Sequence, residues 1–169
     1  HRRLASTLYG PGIARRSTAG NRQMTKRSVR DLPLQSKRVL LRADFNVPLR
    51  TGPDGAPQVA DDTRIRAALP TLEYCIDQGA SVVACSHLGR PKGKVDDALS
   101  LAPIAKHMGR LLARPVQTAS DCVGPEVQSL VQALQPGQVL LLENLRFHTE
   151  EEANDAGFAA QLAALADVY

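Results

Sequence analysis

Residues 79–94 read Gly-Ala-Ser-Val-Val-Ala-Cys-Ser-His-Leu-Gly-Arg-Pro-Lys-Gly-Lys. Gly79 has the character of a helix terminator, and Ala80–Cys85 is a short apolar run of strand length, as expected of a strand buried on both faces. That strand runs straight into Ser86–Lys94, which holds one His, one Arg, two Lys, two Gly and one Pro, and no acid. Two readings of the loop are open. It is a solvated basic turn, or it is an anion site at the carboxyl end of a strand.

The pattern on either side alternates between strand and helix. Arg38–Ala43 reads as a short apolar strand. Residues 50–60, with two Gly and two Pro, read as a turn-rich loop. Asp61-Asp62-Thr63 supplies capping chemistry for a helix over 63–78, where Ile65, Leu69, Leu72 and Ile76 recur at helical spacing. Pro70 lies inside it and predicts a kink or a later helix start. Ser100 opens the next helix, with Leu101, Ile104, Ala105, Met108, Leu111 and Leu112 as its buried stripe. Pro115-Val116-Gln117 begins a short strand, and Pro125–Leu134 forms a helix closed by Pro136-Gly137. Gln138–Glu143 is an apolar strand, predicted to be central. Asn154–Ala166 is a helix, and Asp167-Val168-Tyr169 reads as the opening of one more strand. The predicted fold class is α/β: a doubly wound, mainly parallel Rossmann-like sheet with helices on both faces, truncated before its last strands.

The 169 residues are enough for one domain with a real core, or a domain plus a tail. Hydrophobic content of 43% and charged content of 22% mark a globular chain. No apolar run approaches membrane-spanning length. Cys75, Cys85 and Cys122 are scattered and odd in number, which argues against a disulfide framework or a zinc site. The net charge of +4 conceals an asymmetry. Residues 1–30 hold eight Lys/Arg and no acid, while residues 31–169 set thirteen bases against seventeen acids, a net charge of −4. Overall charge therefore gives no support to nucleic-acid binding by the folded part. Residues 1–23 are expected to be a disordered basic extension: an organelle transit peptide, upstream sequence before a start at Met24, or a nucleic-acid arm. Because the chain begins with His and stops at a strand opening, it is expected to be a piece of something longer.

Ligands of open α/β sheets collect at the carboxyl ends of strands. The first strand exits into Asp44-Phe45-Asn46-Val47-Pro48, the second into Ser86-His87-Leu88-Gly89-Arg90-Pro91, and the strand at 138–143 into Asn144-Leu145-Arg146-Phe147-His148. Arg64 comes in from the start of the first helix. Three arginines, a histidine and an Asp/Asn pair suit a small polyanion with carboxylate and phosphate oxygens, since the guanidinium fork matches both groups bidentately. A nucleotide P-loop is excluded. Only three residues separate Gly89 from Gly93, Val95 follows Lys94, and Pro91 removes a backbone donor.

Five blocks, Arg42–Pro48, Asp61–Ile65, Ser86–Gly93, Asp121–Glu126 and Leu141–His148, resemble phosphoglycerate kinase and stand in that family's order. The resemblance runs from about Lys26 to Tyr169 and leaves out the extension before Met24. It implies a two-lobed enzyme. One lobe holds 3-phosphoglycerate or 1,3-bisphosphoglycerate, the other holds Mg²⁺ with ATP or ADP, and the lobes close on each other for phosphoryl transfer. Residues 24–169 resemble most of the first lobe, so no nucleotide-binding or metal-binding residue is assigned within this chain. By the same resemblance, Asp44 and Asn46 hold the glycerate end, and Arg64 is the catalytic residue that reaches the group in flight. His87, Arg90 and Arg146 grip phosphate and carboxylate oxygens, and Phe45, Leu88 and Gly89 line the same loops.

Each role has a structural alternative. Asp44 could simply cap a turn and Asn46 be a turn residue, Arg64 could pair with Asp61 or Asp62, Arg146 with Glu150, and His87 could be a satisfied structural histidine. His148, Lys92 and Lys94 are expected to be structural or solvated, and Glu150-Glu151-Glu152 a solvated helix start. Further expectations are a cytoplasmic monomer, or a plastid or mitochondrial protein if residues 1–23 are a transit peptide, with no nucleic-acid or membrane partner. This chain alone is expected to be inactive. The competing function is a non-catalytic anion-binding or interaction remnant of the enzyme.

Overall fold

A computed structural model describes residues 27–169. The predictions for residues 1–23 lie outside the described residues. Four parallel strands form the sheet: β1 (Arg38–Arg42), β4 (Ser81–Cys85), β5 (Val116–Thr118) and β6 (Val139–Leu141), in the spatial order β1-β4-β6-β5. All five residues of β4 and all three of β6 are buried, as continuous apolar runs require of strands covered on both faces. Gln138–Glu143 was thus rightly placed in the middle of the sheet, though only its central three residues are strand.

The period-two alternation of the strands divides the core into two layers. Val39, Val82, Ala84, Val139 and Leu141 pack against α1 (Thr63–Asp77) and α2 (Ala102–Leu111), through Ile65, Leu72, Cys75, Ile76, Ile104, Ala105 and Met108. Leu40, Val83, Cys85, Leu140 and Leu142 face the other way, onto Val127 and Val131 of α3 (Pro125–Ala133), Phe158 of α5 (Ala156–Ala163) and Leu165. Two helices on each face make the sheet doubly wound. Asp167 and Val168 continue it on the free side of β1: the Asp167 N–H donates to the Arg38 carbonyl at 2.9 Å, and the Leu40 N–H to the Val168 carbonyl at 2.8 Å.

Three local expectations are corrected. The loop expected over 50–60 contains an antiparallel hairpin, β2 (Leu49–Thr51) with β3 (Pro57–Val59). Its turn is closed by the Gly52 N–H on the Ala56 carbonyl at 2.7 Å, and Pro57 sits at the first strand position, where no ladder donor is needed. Pro70 neither breaks α1 nor delays it. The proline is exposed, so solvent can meet the Arg66 carbonyl that lost its donor. The last helix is shorter than read and is preceded by a separate turn, α4 (Thr149–Glu152).

Candidate functional site

At the carboxyl ends of β1, β4 and β6 three loops are laced together by side chains. The β1 exit is joined to the β4 exit twice: the Phe45 N–H donates to Ser86 Oγ at 2.8 Å, and the Gly89 N–H to Asn46 Oδ1 at 3.0 Å. The β6 exit is joined to the β4 exit through Asn144. Its Oδ1 accepts from the Leu88 and Arg146 N–H groups, both at 3.1 Å, and its Nδ2 donates to the Leu88 carbonyl at 2.8 Å and the Leu99 carbonyl at 2.9 Å. Asn144 is fully buried. The chain leaves β4 towards α2 on one face and β6 towards α5 on the other, so the crevice between these strands is the switch point where a ligand would ordinarily enter. Asn144 fills it, and the open space lies one strand over, beside β1.

That space is a pocket of 340 Å³ lined by Arg42, Ala43, Asp44, His87 and Tyr169. Of the predicted site residues, Asp44 and His87 line it. Arg64 Nη1 meets Asp44 Oδ2 at 2.7 Å, instead of pairing with Asp61 or Asp62. Asp61, just ahead of α1, accepts from the Thr63 N–H at 2.8 Å, and Asp62 pairs with Arg66. Arg146 reaches back across the β4 exit, with Nη1 donating to the Gly89 carbonyl at 3.1 Å. Its carboxylate neighbours are Glu151 at 3.5 Å and Glu152 at 3.7 Å, not Glu150. Arg90 is exposed and has no hydrogen bond or ion pair among the described residues.

Phe45 and Leu88 hold the loops from within. Both side chains are buried and both N–H groups are already bonded, so neither offers a ligand a side-chain contact. Gly89 has φ +63°, a backbone conformation that favours glycine, and a Cβ there would also press on the tip of the Leu99 side chain, with Cδ2 at 2.8 Å. The amides of Gly89 and Gly93 are spent on Asn46 Oδ1 and the Arg146 carbonyl. This is not how a P-loop presents its backbone donors to a phosphate.

The electrostatics follow from these contacts. Partial burial pushes Asp44 upward, but the Asn46 N–H and the Arg64 hydrogen bond and charge outweigh it, leaving the carboxyl below its ordinary pKa. Burial, with Arg146 nearby, holds His87 below its ordinary pKa, against the opposing pull of Asp44 and Glu151. His87 is therefore neutral at neutral pH, and an arriving anion would favour its protonation. The guanidiniums of Arg42, Arg64 and Arg146, set among Asp44, Glu151 and Glu152, offer donors matched to a small anion with more than one charged group.

Sequence reasoning missed Arg42, Asn144 and Glu151. Arg42 is the last residue of β1 and points its charge at the pocket rim, with Nη2 2.6 Å from Glu151 Oε1. A lone cation closing an apolar strand was the available signal. Glu151, read as part of a solvated triplet, has a side chain only 8% exposed, because α4 turns it inward between Arg42 and Arg146. His148 is structural, as expected: it stacks on Phe158 at 4.9 Å and meets Asp121 Oδ1 at 2.6 Å. Asp121, Cys122 and His148 come within metal-ligating distance of one another. The Cys122 thiol, however, already meets the Glu143 carbonyl at 2.9 Å, and burial raises its pKa, opposing the thiolate a metal needs. A larger groove of 560 Å³ runs along the open edge of β5 beside Lys106, Arg110 and Arg114. Arg114 is bonded to the Gly137 carbonyl and Arg110 to His107, and none of the three laced loops reaches it.

The family model of phosphoglycerate kinase matches residues 29–169. The phosphoglycerate kinase of Moorella thermoacetica is 61% identical over 146 residues, 86% of this chain and 36% of that protein. The one from Solibacter usitatus is 56% identical over 146 residues, 86% of this chain and 37% of that protein. Among solved structures, phosphoglycerate kinase from Pyrococcus horikoshii superposes with a TM-score of 0.71 at 31% identity, over 83% of this chain and 35% of that one. The Coxiella burnetii enzyme gives 0.68 at 36% identity, over 82% and 33%. This chain thus spans little more than a third of the length of the curated relatives it matches. With the same fold and a family match over nearly every described residue, the chain belongs to the phosphoglycerate kinase family.

Proposed function

We propose that residues 24–169 form most of the phosphoglycerate-holding lobe of a phosphoglycerate kinase. The observation that supports this reading is the pocket lined by Arg42, Asp44 and His87, with Arg64 paired to Asp44 and the Arg146 charge felt at His87, groups that come from four separate elements. A three-carbon acid with a carboxylate at one end and a phosphate at the other needs cations on more than one side and a hydroxyl partner between. Asp44 and the free amide nitrogen of Asn46 suit the hydroxyl and carboxylate end. His87, Arg90 and Arg146 suit the oxygens of the phosphate.

In the reaction a carboxylate oxygen of 3-phosphoglycerate attacks the γ-phosphorus of ATP. The bond from that phosphorus to the β-γ bridging oxygen breaks, ADP leaves, and 1,3-bisphosphoglycerate forms; the opposite direction regenerates ATP. No general base is needed, because the attacking carboxylate is already ionised near neutral pH. Positioning and charge neutralisation carry such transfers. Arg64 is the residue for the second task. It is half-exposed and, among the described residues, paired with Asp44 alone, so it can exchange that carboxylate for the equatorial oxygens of the moving group. Mg²⁺ bound with ATP or ADP would supply charge neutralisation at the nucleotide phosphates, and we assign its binding to a second lobe of the whole protein, since the Leu88, Gly89 and Gly93 amides are already bonded within the loop network.

The test is a coupled ATP/3-phosphoglycerate assay on the full-length protein, wild type and Arg64→Ala. Turnover in the wild type and a loss of about 10³-fold in the variant are expected, on the scale of an arginine that acts on transferring phosphate. No turnover from a folded wild type would refute the reading. It would favour an anion-binding remnant, a role the same cluster of cations could serve without chemistry.

A further inference from the structure

Glu151 is the one acid of its triplet that faces inward. Its carboxylate spans two guanidiniums from opposite sides of the site, with Oε1 at 2.6 Å from Arg42 Nη2 and Oε2 at 3.5 Å from Arg146 Nε. Arg42 closes β1, and Arg146 stands in the loop after β6. Glu151 is thus the only described side chain paired with cations from both strand exits. Arg146 Nε is buried and has no hydrogen bond closer than this loose ion pair. The arginine is tied instead through Nη1 to the Gly89 carbonyl.

From this we infer that Glu151 is a positioning residue that sets which anions the site accepts, an inference that rests on the proposed phosphoglycerate-holding role. Its single charge offsets one of the two guanidiniums and fixes the angle between them. A bare inorganic anion is attracted mainly by net positive charge, which Glu151 reduces. A ligand with a carboxylate and a phosphate at a fixed separation gains from cations held in place before it arrives. The clamp therefore weakens simple anions and favours the two-ended one.

The test compares 3-phosphoglycerate with inorganic phosphate by NMR titration of the full-length protein, as wild type, Glu151→Gln and Glu151→Asp. In Glu151→Gln, phosphate should bind about threefold tighter and 3-phosphoglycerate about threefold weaker. The ratio of the two affinities then falls about tenfold, a shift well within what one charge this close can supply. The His87 imidazole, which lies in the field of Glu151, should titrate at lower pH in the same variant, a change that a packing role alone would not produce. Glu151→Asp keeps the charge but not the reach, so its phosphate affinity should stay at the wild-type value while 3-phosphoglycerate weakens; it also carries the test if the glutamine variant does not fold. An affinity ratio within twofold of wild type, or an unmoved His87 titration, overturns the inference. A wild-type chain that prefers phosphate to 3-phosphoglycerate overturns the underlying reading as well, and so separates the two failures.

Discussion

Replacing Asn144 with alanine should unlace the site without touching any residue that meets a ligand. The side chain is fully buried and makes four hydrogen bonds, two accepted from the Leu88 and Arg146 N–H groups and two donated to the Leu88 and Leu99 carbonyls. Each buried partner left alone costs about 1–3 kcal/mol. Water entering the vacated polar space would recover part of that. Since only the two contacts to Leu88 are wholly buried, we expect a net loss of about 4 kcal/mol, a large share of the roughly 5–15 kcal/mol that holds an ordinary domain together. Urea unfolding followed by circular dichroism would read this as a midpoint lowered by about 2 M, for a slope near 2 kcal/mol per M. A loss below about 1 kcal/mol would show that the loops after β4 and β6 hold their positions without Asn144, and would refute the account of how the site is built.

The remaining predictions concern single groups. Gly89→Ala must place a Cβ at φ +63° and against Leu99, so it should cost about 2 kcal/mol in thermal or urea unfolding; an unchanged midpoint would mean the loop is not constrained there. The His87 pKa is lowered in the folded chain, chiefly by burial, so its unfolded form takes up the proton first as pH falls. The stability it contributes is full above about pH 6.5 and drains away as pH falls from there towards the folded-state value. NMR titration should find His87 below 6.5 in the free protein and higher once 3-phosphoglycerate is added, and an unshifted value in both states would contradict the site geometry. Burial pushes the Cys85 thiol up to about 12 and raises those of Cys75 and Cys122. All three should resist a disulfide reagent at pH 8 in the native protein and react fully in urea.

Most of the fold was legible because it is written in local periodicity. Apolar runs of strand length at Ala80–Cys85 and Gln138–Glu143, and four-three spacings over 63–78, state their elements directly. The β2–β3 hairpin was hidden because its three-residue strands are shorter than any periodic window, and the Gly and Pro of its turn dominate the segment. Candidate site residues Asp44, Asn46, His87, Arg90 and Arg146 come from asking which polar side chains follow each strand, a question that sequence order alone can answer once the strands are known, whereas Phe45, Leu88 and Gly89 come from the family resemblance.

Side-chain pairing across distant segments was a different matter. Arg64 chooses Asp44, twenty positions away, over Asp61 and Asp62 next to it, because α1 starts facing the β1 exit. Among Glu150, Glu151 and Glu152, three identical side chains in a row, only the turn of α4 selects the middle one to lie between Arg42 and Arg146. Chemistry, the succession of strands and helices along the chain and the buried faces of helices follow from residue type and spacing. Which charge meets which, and how deeply it is buried, depends on where the backbone carries each group, and that is settled only when the sheet and its helices pack.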